Sequence, residues 1–341
     1  MTSGVSRITV FALLVGFAIS CINVSAVAQS SAKDKRAKKK SLPKIESVTF
    51  VTKDGVELHA DYLGGLHDKE SVPILLLHDF DSSRAAMLPL ASYLQKKFGH
   101  CVLVPDLRGH GESTRVQNSD VKIDRSKFRK KELASIFQDL EQCKRFLMAK
   151  NNAGQLNIDQ LSVVAVGSTC IPAVHWVNKD WSWEPVGGLK QGKDIKSLVM
   201  ISPVKRFKGL NITSELKSPL LTGKGMPPLP LLMTWGSSSD SAKDVKAIYQ
   251  LLGKSRPKVS EKPGEDGWWE NETLFKVERR TALAGMQFVK KSQDGINNDV
   301  GLFIDNKVVA NKDDYRWQNR SKDSLIDDDE EEEDDEDDGN P

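Results

Sequence analysis

VVAVGSTCIPAV, Val163 to Val174, runs from β-branched residues through Gly-Ser-Thr-Cys into a segment that reads as helix. With the two residues before it, LSVVAVG (161–167) is a continuous apolar run. A run of that length fits a strand buried on both faces. A strand that turns sharply into a helix is one unit of a layered α/β fold.

The same grammar repeats on both sides. VPILLLHD (72–79), HCVLVPD (100–106), KSLVMIS (196–202) and PLPLLMTWG (228–236) read as further buried strands. SSRAAMLPLASYLQKKFG opens with a Ser cap and reads as helix. SKFRKKELASIFQDLEQCKRFLMAK does too, with Leu133, Ile136, Phe137, Leu140 and Leu147 on one face. KDVKAIYQLLG and ETLFKVERRTALAGMQFVKK complete the predicted helices. Upstream, IESVTFVTKDGVELHADYL places two alternating runs around Asp54-Gly55, the pattern of a hairpin. GLFIDNKVVANKDDYRWQNR, near the end, reads as a second hairpin and a docked strap. The expectation is one α/β domain over residues 45–320, a doubly wound, mostly parallel sheet flanked by helices.

The ends are of another kind. Arg7, the apolar run ITVFALLVGFAI and the small-residue site Ala26-Val27-Ala28 form a signal-peptide pattern, with cleavage expected after Ala28. The apolar run is too short to span a bilayer comfortably, so no transmembrane segment is expected after cleavage. A lipid anchor on Cys21 is the alternative, against which stands Ala18 where such a motif wants Leu. The reading is export to the periplasm or beyond. Residues 29–44 form a basic linker, and residues 321–341 carry an unbroken acidic run from Asp327 to Asp338. Both are too charged and apolar-poor to order themselves. The formal charge of +2 therefore hides a rest-of-chain excess of about +14 once the acidic run is set aside. No Arg/aromatic-interleaved patch accompanies that excess, so no nucleic-acid partner is expected. Cys101, Cys143 and Cys170 are too few and too scattered for a disulfide framework. No Cys/His cluster has zinc spacing, and neither a metal nor a cofactor is expected.

In a sheet of this kind ligands bind beyond the carboxyl ends of the strands. The residues there, LLLHDFDSS, VPDLRGHGES, VAVGSTC and LLMTWGSSSD in order, resemble the α/β-hydrolase superfamily, of the serine esterase and lysophospholipase type. The similarity runs from about Ile45 to Lys291, and DLRGHGES (106–113) is its most specific piece.

The resemblance implies a Ser-Asp-His triad, and the triad does not fit. Aligning Val166-Gly167 with the family's Val-Gly puts Thr169 at the nucleophile position and Ile171 at a glycine. A frame one residue earlier offers Ser168, and Cys170 is a third candidate nucleophile. The oxyanion donors implied are the N–H groups of Phe80 and Cys170, with Asp79 intruding where the family has Gly. Asp240 takes the acid position, or else caps the following helix. The base must follow the acid, yet no histidine lies beyond His175. Glu265 and Asp266 stand near the place expected for it.

Three functions compete. One is a catalytically inactive hydrolase-like protein that binds an unknown small molecule or envelope protein. Asp79, Asp81, Asp240, Glu265 and Asp266 would then ring the cleft mouth, which disfavours anionic lipid and favours a cationic group or nothing specific. Another is a carboxylic ester hydrolase with a rebuilt site, in which His78 or His110 serves Ser168, Thr169 or Cys170 as base. The last is an envelope interaction module using its charged ends and the Trp-rich DWSWEP, where Trp181 and Trp183 would pack over the sheet or cover the cleft.

Overall fold

The computed structural model describes residues 41–120, 122–291 and 293–320. The expected signal peptide, most of the basic linker and the acidic tail lie outside the described residues.

The opening hairpin forms as the Asp54-Gly55 pair demands. Strands β1 (Ile45–Val51) and β2 (Val56–Leu63) pair antiparallel, and Gly55 takes φ +84° in the turn, where it costs no steric strain. The buried runs become β3 (Pro73–Leu77), β4 (Cys101–Pro105), β6 (Leu161–Val166), β7 (Ile195–Ile201) and β10 (Leu231–Gly236). Three short strands, β5 (Arg115–Val116), β8 (Arg206–Phe207) and β9 (Leu210–Asn211), lie in loops. The last strand, β11 (Leu274–Arg279), completes the order β1-β2-β4-β3-β6-β7-β10-β11, parallel from β4 onward, with β5 on the edge of β2.

The helices are α1 (Leu88–Phe98), α2 (Lys130–Ala134), α3 (Ile136–Asn152), α4 (Cys170–Trp181), α5 (Pro219–Thr222), α6 (Ala242–Ser255), α7 (Trp268–Asn271), α8 (Gly285–Lys291) and α9 (Gln293–Lys307). Strand alternation divides the core in two. Val163, Ala165, Leu198, Met200 and Met233 face α3, α4 and α6, whereas Val164, Val166, Val199, Ile201 and Leu232 face α1, α8 and α9. Each of these side chains other than Ala165 contributes about 1.5–3 kcal/mol by burial. This double burial explains why the strands read as unbroken apolar runs.

Two expectations fail at the C-terminal end. ETLFKVERRTALAGMQFVKK is a strand, a loop and a helix, because LFKVER alternates buried and exposed residues as an edge strand does. The expected second hairpin is α9 followed by a short 3-10 segment, with Ile296, Val300, Phe303 and Ile304 buried at helical spacing. The strap that follows does dock. Asn151 and Asn157 side chains donate to the carbonyls of Gln318 and Tyr315, and Arg320 Nη1 lies 2.6 Å from the buried Asp194 carboxylate.

A candidate site at the carboxyl edge

The turn after β6 places its strain on one residue. Gly167 takes φ +61°, while Thr169 and Cys170 are already right-handed helical. A β-branched threonine resists the left-handed region, and glycine enters it freely. The apex of the turn is therefore Gly167, two residues before the Thr169 expected there. Thr169 instead points inward, 2 % exposed, and its Oγ1 donates to Val166 O at 2.8 Å. Cys170 Sγ donates to Ala165 O at 3.3 Å, and burial pushes its thiol well above the ordinary range. Its N–H donates to the carbonyls of Gly167 and Ser168, so it is no oxyanion donor either.

Ser168 supplies that donor, and it is already engaged. Asp79 Oδ1 accepts hydrogen bonds from Ser168 N–H at 3.0 Å, Ser168 Oγ at 2.8 Å and Phe80 N–H at 2.8 Å. Two backbone N–H groups converging on one oxygen at these distances have the geometry of an oxyanion hole. A Cβ on Gly167 would stand 2.1 Å from Asp79 Oδ2, and one on Gly285, at the start of α8, 2.7 Å from the same oxygen. The Asp79 side chain does not turn away from Phe80, as a free donor there would require.

The two histidines beside this group hold loops. His78 Nδ1 donates to Asp79 O at 2.8 Å and its Nε2 accepts from Leu107 N–H at 3.2 Å, which fixes a neutral ring. Burial pulls its pKa down to about 4, against the opposing pull of the Asp79 carbonyl. His110 spans from Phe80 O (2.6 Å) to Arg108 O (2.8 Å), and burial lowers its pKa as well. Neither imidazole touches Ser168, Thr169 or Cys170. Arg108 ties the same loop to Asp54 and to Asp139, whose buried carboxyl is pushed up to about 6 by desolvation despite the guanidinium beside it. Above the turn, Phe80 and Phe207 rings lie 4.9 Å apart. With Leu210 and Ile171 they leave a cavity of about 10 Å³, at the lower limit for one water.

No protein-family model matches the sequence, and no curated protein does. Solved structures do match. Esterase Pf2001 of Pyrococcus furiosus is 16% identical over 78% of this chain and 93% of its own, with a TM-score of 0.54. A dienelactone hydrolase from Anabaena variabilis is 13% identical over 79% and 100%, with a TM-score of 0.53. An esterase from Rhizomucor miehei is 13% identical over 79% and 86%, with a TM-score of 0.51.

The chain has the α/β-hydrolase fold. In that fold the acid follows the penultimate parallel strand and the base follows the last one. Asp240 does follow β10, but it is exposed and its carboxylate makes no hydrogen bond or ion pair among the described residues. It does not cap α6 either, since Ser241 holds that position. The base position falls in the loop between β11 and α8, Arg280 to Ala284, which holds no imidazole. Glu265 and Asp266 precede β11 and so stand at the opposite, amino edge of the sheet. Trp181 ends α4 at that amino edge too, where its Nε1 donates to Ile195 O at 2.8 Å, and Trp183 follows just beyond the helix. They cannot cover the cleft.

Of the residues expected to act together, the α/β-hydrolase fold gathers Phe80 and Ser168, and adds Asp79. It does not gather Asp240, His78, His110 or Cys170 around a hydroxyl. The expected acidic ring also dissolves, because Asp79 is folded into the turn and Glu265 and Asp266 are elsewhere. Gly167 was the detectable signal, as the one residue of Gly-Ser-Thr-Cys that enters positive φ at no cost.

Proposed function

We propose that this chain is an exported, non-catalytic protein of the α/β-hydrolase fold that uses the carboxyl edge of its sheet for binding. One observation carries the reading. The Asp79 carboxylate occupies the two backbone donors that an acyl-transfer intermediate needs, beside an apex, Gly167, that has no side chain to attack with. The loop after β11 adds no base. Export rests on the signal pattern before Gln29, and the partner is a small molecule or an envelope protein.

Incubation with a fluorophosphonate probe, beside a p-nitrophenyl acetate assay, tests the chemistry. The expected result is no adduct and no hydrolysis above background. A stoichiometric adduct on Ser168 or Thr169 would overturn the proposal. Export is tested separately by the first residue of protein recovered outside the cytoplasm. Gln29 supports it, and an intact Met1 counts against it.

A further inference from the structure

Beside the filled turn lies an open cavity of about 910 Å³, between the loop after β3, the DLRGHGES loop and the last turn of α8. Its polar lining comes mainly from Asp81, Ser82, Ser83, His110, Arg125 and Lys290.

Donors dominate this surface. Arg125, in the cavity lining, commits Nη1 to the carbonyls of Phe80 (2.8 Å) and Ser82 (3.5 Å), which leaves Nε and Nη2 unbonded among the described residues. Lys290 is exposed, and no carboxylate among the described residues pairs with it. The Ser82 and Ser83 hydroxyls make no hydrogen bond there, and Ser83 heads the helical turn Arg84–Met87 without capping it. Acids that would neutralise the cations are spoken for. Asp79 is held by Ser168 and Phe80, and Asp106 and Glu112 both by Arg84. Asp81 is the one carboxylate lining the cavity.

We propose that this cavity binds a phosphate ester of a polyol. Arg125, Lys290 and the two serine hydroxyls hold the phosphate through charge-assisted hydrogen bonds. Asp81 accepts from a hydroxyl of the organic body. The volume exceeds what inorganic phosphate fills and leaves room for an organic body beside it. The inference rests on the reading of this edge as a binding surface.

Isothermal titration with glucose 6-phosphate at about 0.15 M ionic strength tests it, with glucose and inorganic phosphate as controls. Glucose 6-phosphate should bind and glucose should not. Lys290→Gln and Arg125→Gln should each weaken binding tenfold or more, and Asp81→Asn should weaken glucose 6-phosphate relative to inorganic phosphate, whose own affinity should not fall. Lys290 is exposed and contacts no partner, so its variant keeps the test valid if Arg125→Gln disturbs the loop. No binding, or an affinity indifferent to Lys290→Gln, would overturn the proposal. Inorganic phosphate binding as well as the ester, regardless of Asp81→Asn, would overturn it as well, showing an adventitious ion only. A fluorophosphonate adduct would defeat the non-catalytic reading without touching this result, and an absent titration heat would defeat only the site.

Discussion

Asp79 Oδ1 takes three donors, and its removal strands two backbone N–H groups beside a cavity of about 10 Å³. Asp79→Ala should therefore cost about 1–3 kcal/mol in urea unfolding, the range for donors left unsatisfied. Gly167→Ser should also destabilise, because it places a Cβ against Asp79 Oδ2 at φ +61°. The two sites touch, so Asp79→Gly with Gly167→Ser should cost less than the sum of the single changes. Strict additivity in that double-mutant cycle would show that the carboxylate and the turn are not packed together. His78 makes a pH prediction. Its folded pKa of about 4 lies below the unfolded value of about 6.5, so the unfolded chain binds the extra proton between them. Stability from the neutral ring is present above about pH 6.5 and lost as pH falls toward 4. His78→Gln should flatten the stability profile across that window, read by urea midpoints at pH 7 and pH 5. At this scale the sequence already made plain that no histidine follows His175. The position of the apex was not legible there, because motif alignment weighs residue identity whereas the turn obeys φ.

Among the elements, the edge strand β11 and the strap explain where the reading failed and what holds the amino edge. Interior strands announce themselves by apolar runs. LFKVER, with one open edge, mixes Lys and Glu into its pattern and passes for helix. That one misreading moved Glu265 and Asp266 to the wrong end of the sheet. In the strap after α9, the Arg320 side chain is 4% exposed against a fully buried Asp194. Burial would raise the Asp194 carboxyl, and Lys144, Arg320 and Lys190 together outweigh it and hold the group below its ordinary value. Arg320→Ala leaves Lys144 at 2.7 Å from Asp194 but removes the guanidinium's bonds to Asp194 and to Lys190 O, so the loss should be at least that of one charged hydrogen-bonded contact, about 1.5–3 kcal/mol. Chemical denaturation at neutral pH measures it, and an unchanged midpoint would mean the strap is not anchored.

At the scale of the whole molecule, two core layers enclose the sheet, and among the described residues the hydroxyls and thiol of the turn after β6 are engaged in hydrogen bonds. Cys101, Cys143 and Cys170 are all free and buried, and burial pushes the Cys101 thiol up to about 12. A thiol reagent should leave these three unmodified in the folded protein and label all of them in guanidinium, as peptide mass spectrometry would show. Rapid labelling of Cys170 in the native state would mean that the turn opens. The doubly wound architecture was plain from the chain because every interior strand carries the same signature. The contents of the cleft were hidden, because a contact between Asp79 and Ser168 spans 89 positions. That contact makes Asp79 a ligand on a tether of a single side chain. A tethered group competes at an effective concentration set by its attachment, beyond what dissolved competitors ordinarily reach. A small carboxylate such as acetate, which would seat an oxygen on the same pair of donors, should thus produce no thermal shift here until Asp79 is replaced.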